Sequence, residues 1–381
     1  MTVRVYRSTD FGAPQLSGQV GTLIAILNAC LVDGYGTNTI TSLTQSGGVA
    51  TATTNVPHQF TGSPKVLIAG AASSDYNVEA TITITGASTF TYPVNPAAPG
   101  TAGGAPTCKI AGSGWTKPFA DGTYVAAYKQ PAGSNGFYLR VDDNSSATVA
   151  RGQAYETMTN VSSGLTPFPT SAQLAGGVHI VKSDVASSAT RPWMLVCNGP
   201  FFVLFIAHDN NATWTNGNGT GFGDIKTYKA GGADPYGTTI VGNTAGSYAS
   251  HSMQVLSTNI SNVSPGHWVA RSYSGIGGAI AVSKTSDNAK AQGVSVVGSG
   301  GIPYPSAIDG GLYVTPLWLS EASPTLAPRG ELPGLWNPLH SRPLAHGDIW
   351  TPSSGSLVGK TFEAVNLFSN GQIFVETSDT W

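Results

Sequence analysis

The chain has 381 residues, 40% of them apolar, with 18 Lys and Arg against 20 Asp and Glu and a net charge of −2. Only 10% of residues are charged, against about 25% in ordinary globular domains, and no basic run supplies the Lys/Arg footprint of a sequence-independent nucleic-acid binder. Gly 48 and Pro 24, with abundant Ser and Thr, exclude a helical protein and suit short strands joined by tight turns.

In chain order, "VRVYRS" (3–8) alternates as a strand does, and "TDFGAPQLSG" is turn-rich. "GAPQLSGQVGTLIAILNACLVDGYG" (12–36) then predicts the one good helix, capped by Ser17 and stopped by Gly34. Val20, Leu23, Ile24, Leu27 and Leu31 form its core-facing stripe. Ala25, Ala29 and Val32 make the other side small and apolar, so the helix is expected to be enclosed, with its second face on more core or on another copy of the chain. Its apolar run, 20–32, is too short to span a bilayer, which takes about 20 residues. It also starts too late for an export signal, so no membrane insertion is expected.

Residues 39–112 read as a small β-sandwich or barrel, with strands on either side of Gly47-Gly48, at "KVLIAG", within "EATITITGASTFTYPV" and at "PTCKI". Residues 113–325 read as the main β domain. Its clearest feature is a hairpin in "RPWMLVCNGPFFVLFIAHDN" (191–210), with Asn198-Gly199 as its turn. "HWVARSY", "GAIAVSK", "GVSVVG" (293–298) and "GGLYVTPLWLSE" continue the short strands. Residues 326–381 read as a Pro-rich extended segment that wraps a surface and ends in a hairpin around Asn370-Gly371. The expected fold class is therefore mostly β, a multi-domain sandwich or barrel architecture with one buried N-terminal helix.

Few residues point to chemistry. Cys30, Cys108 and Cys197 form no CxxC and read as buried free thiols. Asp142 and Asp143 in "VDDNSS" could offer oxygens to Ca²⁺ but lack EF-hand spacing. His208 and Asp209 in "AHDNN" follow an apolar strand and suit a turn as well as a site. These four make the best polar candidate site. Asp142, Asp209, Asp224 and Glu156 are the few carboxylates that a glycan-cleaving pair could use. His346 and Asp348 could pair as base and orienter, with no nucleophile beside them. "NGNGTGFGD" lacks the strand–turn–helix context of a nucleotide loop, and the sequon at Asn211 is of the kind that arises by chance. Trp115, Phe137, Tyr138, Trp193, Trp214, Trp268 and Trp318 alternate with apolar residues and read as core before glycan-binding face. No cofactor, metal or catalytic residue is expected.

The 12–36 segment resembles the opening of a group of tailed-bacteriophage virion proteins. "GWTKPF", "NGFYLRVDD", "RPWMLVCNG", "FFVLFI" and "GDIKTYKAG" are similar to that group's central blocks, and "RGELPGLWNPLH", "GDIW" and the terminal Trp to its C-terminal block. "PHQFTG", "VLIAGAASSDYN" and "TFTYPV" look like a small β-domain that recurs in phage and bacterial surface proteins. The resemblance implies a structural component of the virion, in the tail, head–tail region or capsid surface, and supplies no catalytic residue. The expected role is a non-enzymatic protein of the tail or head–tail region, a homotrimer or other symmetric homo-oligomer packed against other virion proteins. The alternatives are a capsid decoration protein and a receptor-binding fibre or spike that recognises host surface glycan.

Overall fold

The computed structural model describes all residues except 1, 63, 210–213, 215–216, 247–265, 286–302, 322–326, 341–342, 368–370 and 379–380. The strand expected at 293–298, Asn211 and Asn370 thus lie outside the described residues. The chain is mostly β, with 49% strand and 6% helix.

Three larger sheets make up the fold. Among the described residues, strands between Tyr35 and Ile110 pair only with one another, in a seven-stranded sheet. Its two end strands, Glu79–Thr81 and Thr83–Gly86, are consecutive in the chain, which brings the sheet round nearly to closure. The turn expected at Gly47-Gly48 joins Ser46 directly opposite Val49. A six-stranded sheet runs from Thr116 to Val181. A thirteen-stranded sheet begins at Arg4–Arg7, continues through the strands from Trp193 to Glu376 and ends at Ile349–Trp350.

The hairpin at 193–207 explains its own sequence. Met194, Val196, Phe201, Val203, Phe205 and Ala207 point to one apolar cluster, shared with Leu319, Val365, Ile373 and Val375. The alternate residues Trp193, Leu195, Cys197, Phe202, Leu204 and Ile206 point to a second cluster, which holds the helix and the other sheets. A strand buried on both faces needs no polar alternation. The register corrects the expected turn: Asn198 is paired with Phe201, so the two-residue loop is Gly199-Pro200. Gly199 has φ 58°, which suits the first central position of a type II′ turn. Pro200 thereby sits where no ladder amide is required. Trp115 Nε1 donates to Gly199 O at 2.8 Å and Gln130 Nε2 to Pro200 O at 2.9 Å, which fixes the turn.

The Pro-rich tail is not a surface wrap at its start. Pro328–Pro338 is a strand of the large sheet, paired with Val314–Glu321 and with Gln372–Glu376. Pro333 is accommodated because the ladder is interrupted: the register break between Pro316 and Trp318 leaves Leu332–Leu335 opposite Leu317, while Pro328 and Pro338 sit at the two ends of the strand. Pairing of 314–321 with 328–338 also crosses residue 325, so the large sheet spans both segments.

The helix differs from expectation in three ways. It starts at Thr22, after Gly21 at φ 81°, not at Ser17. Thr22 Oγ1 folds back to donate to Gln19 O at 2.9 Å and Ser17 O at 3.1 Å. Val20 therefore precedes the helix and is 37% exposed, not part of the stripe. From Asn28 to Asp33 the helix widens to π geometry, which turns Ala29, Cys30 and Leu31 inward together. Ala25 is left exposed. Gly34 ends the element at φ 73°, and its amide donates to Ala29 O at 2.8 Å. The free carbonyls of the last turn are taken by the chain itself: Ser113 N donates to Cys30 O and Trp115 N to Leu31 O, at 2.9 and 3.0 Å.

Leu23 and Leu27 meet Leu139 and Ile180 of the six-stranded sheet and Phe202, Leu204 and Ile240 of the large one around a void of about 10 Å³. The helix is thus the filling between two sheets. Burial of Leu23, Ile24, Ile26 and Leu27 stabilises this arrangement by about 1.5–3 kcal/mol per side chain.

Candidate functional site

Of the predicted polar residues, Asp143 has the most developed surroundings. It follows the strand Tyr138–Asp142 and is fully buried. Its Oδ2 accepts the Leu23 amide at 2.9 Å, and its carbonyl accepts the Gly21 amide at 3.1 Å. No local side chain caps the helix, so a carboxylate from 120 residues away does so, where the helix dipole also favours a negative charge. Its other oxygen, Oδ1, is ion-paired with Lys182, which is also fully buried and donates to Gln19 O at 2.5 Å. Burial pushes the Asp143 carboxyl up and pulls the Lys182 ammonium down, and each partner's charge opposes the shift in the other. Desolvation outweighing attraction is the usual balance for a buried pair.

The remaining candidates lie around this group without forming one cleft. Asp142 points the other way, 3.1 Å from Arg140, and its Oδ1 accepts the Asn144 amide in a turn. His208 is buried at the end of its strand, and its carbonyl accepts the Asp184 amide at 3.0 Å. Asp209 follows it, half-buried. Residues 182–184 therefore connect the two predicted pairs: Lys182 binds Asp143, and Asp184 binds His208 and, at 2.6 Å, Arg191.

The other carboxylates considered are also engaged. Glu156 receives Arg271 through both oxygens, at 2.7 and 2.8 Å. Asp224 accepts from Thr238 Oγ1, Gln130 Nε2 and the Asn135 amide at 2.6–2.9 Å; burial pushes its carboxyl up against these bonds. Asp348 Oδ2 accepts the Ala345 amide at 2.9 Å, so it is not the orienter of His346. His346 instead stacks on Trp214, with ring centroids 4.5 Å apart. Its Nδ1 accepts the Asn366 amide at 3.3 Å, and burial, aided by Arg7, pulls it down to about 4.

Sequence reasoning missed the most extensive buried charge network. Arg329, fully buried, donates to Asp234 at 2.5 Å, Glu321 at 2.6 Å and the Arg271 carbonyl at 2.7 Å. Lys229 stands 3.4 Å from Asp234. These residues are scattered over a hundred positions, and only the register of the large sheet brings them together. No local spacing could have disclosed them.

The thiols are free and buried, with burial pushing Cys197 up to about 11 and Cys108 up to about 12. At neutral pH they stay protonated and unreactive. Trp115, Phe137, Trp193, Trp214 and Trp268 are buried; Tyr138 and Trp318 are half-buried. Among the described residues, no three His, Cys, Asp or Glu side chains gather as metal ligands do, and no helix is long and apolar enough to cross a membrane. The chain matches no family model and no curated protein sequence.

Proposed function

We propose that this chain is a structural component of a tailed-bacteriophage virion, in the tail or head–tail region. It acts as a symmetric homo-oligomer packed against neighbouring virion proteins. The carrying observation is the use to which the buried charges are put. Asp143–Lys182, Arg329 with Asp234 and Glu321, and Arg191–Asp184 each tie segments that are distant in the chain or held at a strand end. The carboxylates best placed for chemistry are committed to the fold in the same way. The sequence blocks that resemble phage virion proteins cover the helix, the central hairpin and the tail, which are the elements joined by these ties. The test is the composition of purified particles. This reading expects the chain as a stoichiometric band, in a copy number that is a multiple of the local symmetry. Its absence from washed particles overturns the reading.

One observation favours a second reading, recognition of host surface glycan. Tyr228 and Tyr273 are 44% and 40% exposed. Lys229 lies 5.2 Å from the Tyr273 ring centroid, and the Tyr228 hydroxyl donates to Glu331 at 2.7 Å. Exposed tyrosine rings beside charged hydrogen-bonding groups suit sugar rings. On this reading excess purified protein blocks adsorption to host cells, and Tyr273→Ala relieves the block. Unchanged adsorption in excess protein rejects it.

A further inference from the structure

The large sheet starts at Arg4–Arg7, a strand that, among the described residues, has a partner on one side only. Ser8 donates its amide to Trp193 O at 3.0 Å, and backbone groups alternate in direction along a strand. Arg4 and Tyr6 therefore face the Trp193–Asn198 strand, while Val3, Val5 and Arg7 direct their amides and carbonyls to the open side. Arg7 is satisfied by Asp10: its amide donates to Asp10 Oδ2 at 2.8 Å, and its carbonyl accepts the Asp10 amide at 3.1 Å. Among the described residues, nothing pairs with the outward amide and carbonyl of Val5.

That edge opens onto a slot of about 470 Å³. All six residues from Thr2 to Arg7 line it, so it runs along the strand's edge; a pocket over one face would touch alternate residues. Phe60 and Lys65 of the small barrel form one wall, and Ile349 and Glu363 from the far end of the large sheet form the other. An ion pair between Arg7 and Glu363 bridges the two ends of the sheet.

We propose that this slot binds an extended polypeptide segment of a partner protein, which adds as a strand to the Arg4–Arg7 edge. Two observations choose this occupant. The free groups on Val5 are a backbone donor and acceptor on the same side, the pattern that strand addition satisfies. Three other end strands carry blocks to pairing, whereas Arg4–Arg7 holds neither a proline nor a bulge. Thr116–Asp121 contains Pro118 and a bulge, Ser163–Phe168 contains Thr166 at φ 54° followed by Pro167, and Ile349–Trp350 has two residues. Lys65 is 4.0 Å from Glu79, which already pairs with Arg4 at 2.5 Å. Its ammonium is available to an acidic side chain on the incoming segment. The proposal does not depend on where the protein acts.

The probe is a random twelve-residue peptide display library selected on the full-length protein, with the enriched peptides synthesised. The expected result is that they bind Val5→Pro at least tenfold more weakly, because proline removes the outward amide and leaves the ladder to Trp193–Asn198 intact. Amide exchange in the wild-type protein needs no variant: peptide binding slows exchange at Val5 and leaves Tyr6, already bonded, unchanged. Absence of enrichment over a bare-surface control, or binding that leaves Val5 exchange unaltered, overturns the proposal.

Discussion

The Asp143 carboxylate accepts the Leu23 amide at 2.9 Å, so the start of the helix Thr22–Leu27 is capped by a residue at the end of a strand in the six-stranded sheet. The pair with Lys182 gives that contact its energetic weight. Asp143→Asn keeps the size of the side chain but leaves Lys182 charged and buried without its counter-ion. The expected cost is about 3–5 kcal/mol in urea unfolding. Asp143→Asn combined with Lys182→Met removes the orphaned charge and recovers part of the loss. Equal stability of Asp143→Asn and wild type contradicts the assigned role.

The C-terminal Trp381 is seated on Gly334. A Cβ at position 334 would lie 2.1 Å from the Trp381 ring, and Gly334 has φ 68°. Trp381 Nε1 donates to Glu376 O at 2.7 Å, which holds the ring there. Gly334→Ala is expected to expel Trp381, seen as a red shift of its fluorescence, and to cost about 1–2 kcal/mol from the left-handed backbone alone. In a Trp381→Ala background only the backbone cost remains, so a double-mutant cycle separates the two effects.

His346 sets a pH dependence. Its folded-state value is pulled down to about 4 from 6.5. The unfolded chain therefore binds more protons between those values, and stability rises with pH across the window. The contribution is complete above about 6.5 and is lost as pH falls through about 4. Protonation also ends the acceptance of the Asn366 amide by Nδ1. Thermal melts between pH 7 and 4 are expected to fall more steeply for wild type than for His346→Gln. Parallel profiles contradict this.

The two alanines of the helix separate folding from assembly. Ala29 is 8% exposed, beneath the π turn, whereas Ala25 is exposed. Ala29→Glu buries an unpaired charge and is expected to destabilise the fold by about 3 kcal/mol or more. Ala25→Glu is expected to leave the melting temperature within about a degree or two of wild type and to weaken any oligomer that uses this face. Light scattering with parallel melts distinguishes the two.

Local signals were legible in the sequence. The Gly47-Gly48 turn, the apolar hairpin at 193–207 and the Leu23–Leu31 stripe all depend on neighbours in the chain, and propensity or period reports them. The π widening, which brings Ala29 inward, breaks the 3.6-residue period and so escaped it. Periodicity groups Val20 with the stripe because it does not register that Gly21 adopts a left-handed backbone. The capping of the helix by Asp143, the Arg329 network and the slot along Arg4–Arg7 each depend on pairing between segments far apart. They follow from sheet topology, to which the sequence gives no local key. The tail read as a wrap because its prolines argue against a strand, and only the register break at Leu317 explains how one forms.

The most direct measurement is a reconstruction of an intact phage particle that carries this chain, at a resolution that resolves strands. The expected result is density for the thirteen-stranded sheet and its enclosed helix at a symmetric ring in the tail or head–tail region, with copies in mutual contact. Density on the capsid lattice alone, or no density for the chain in complete particles, contradicts it.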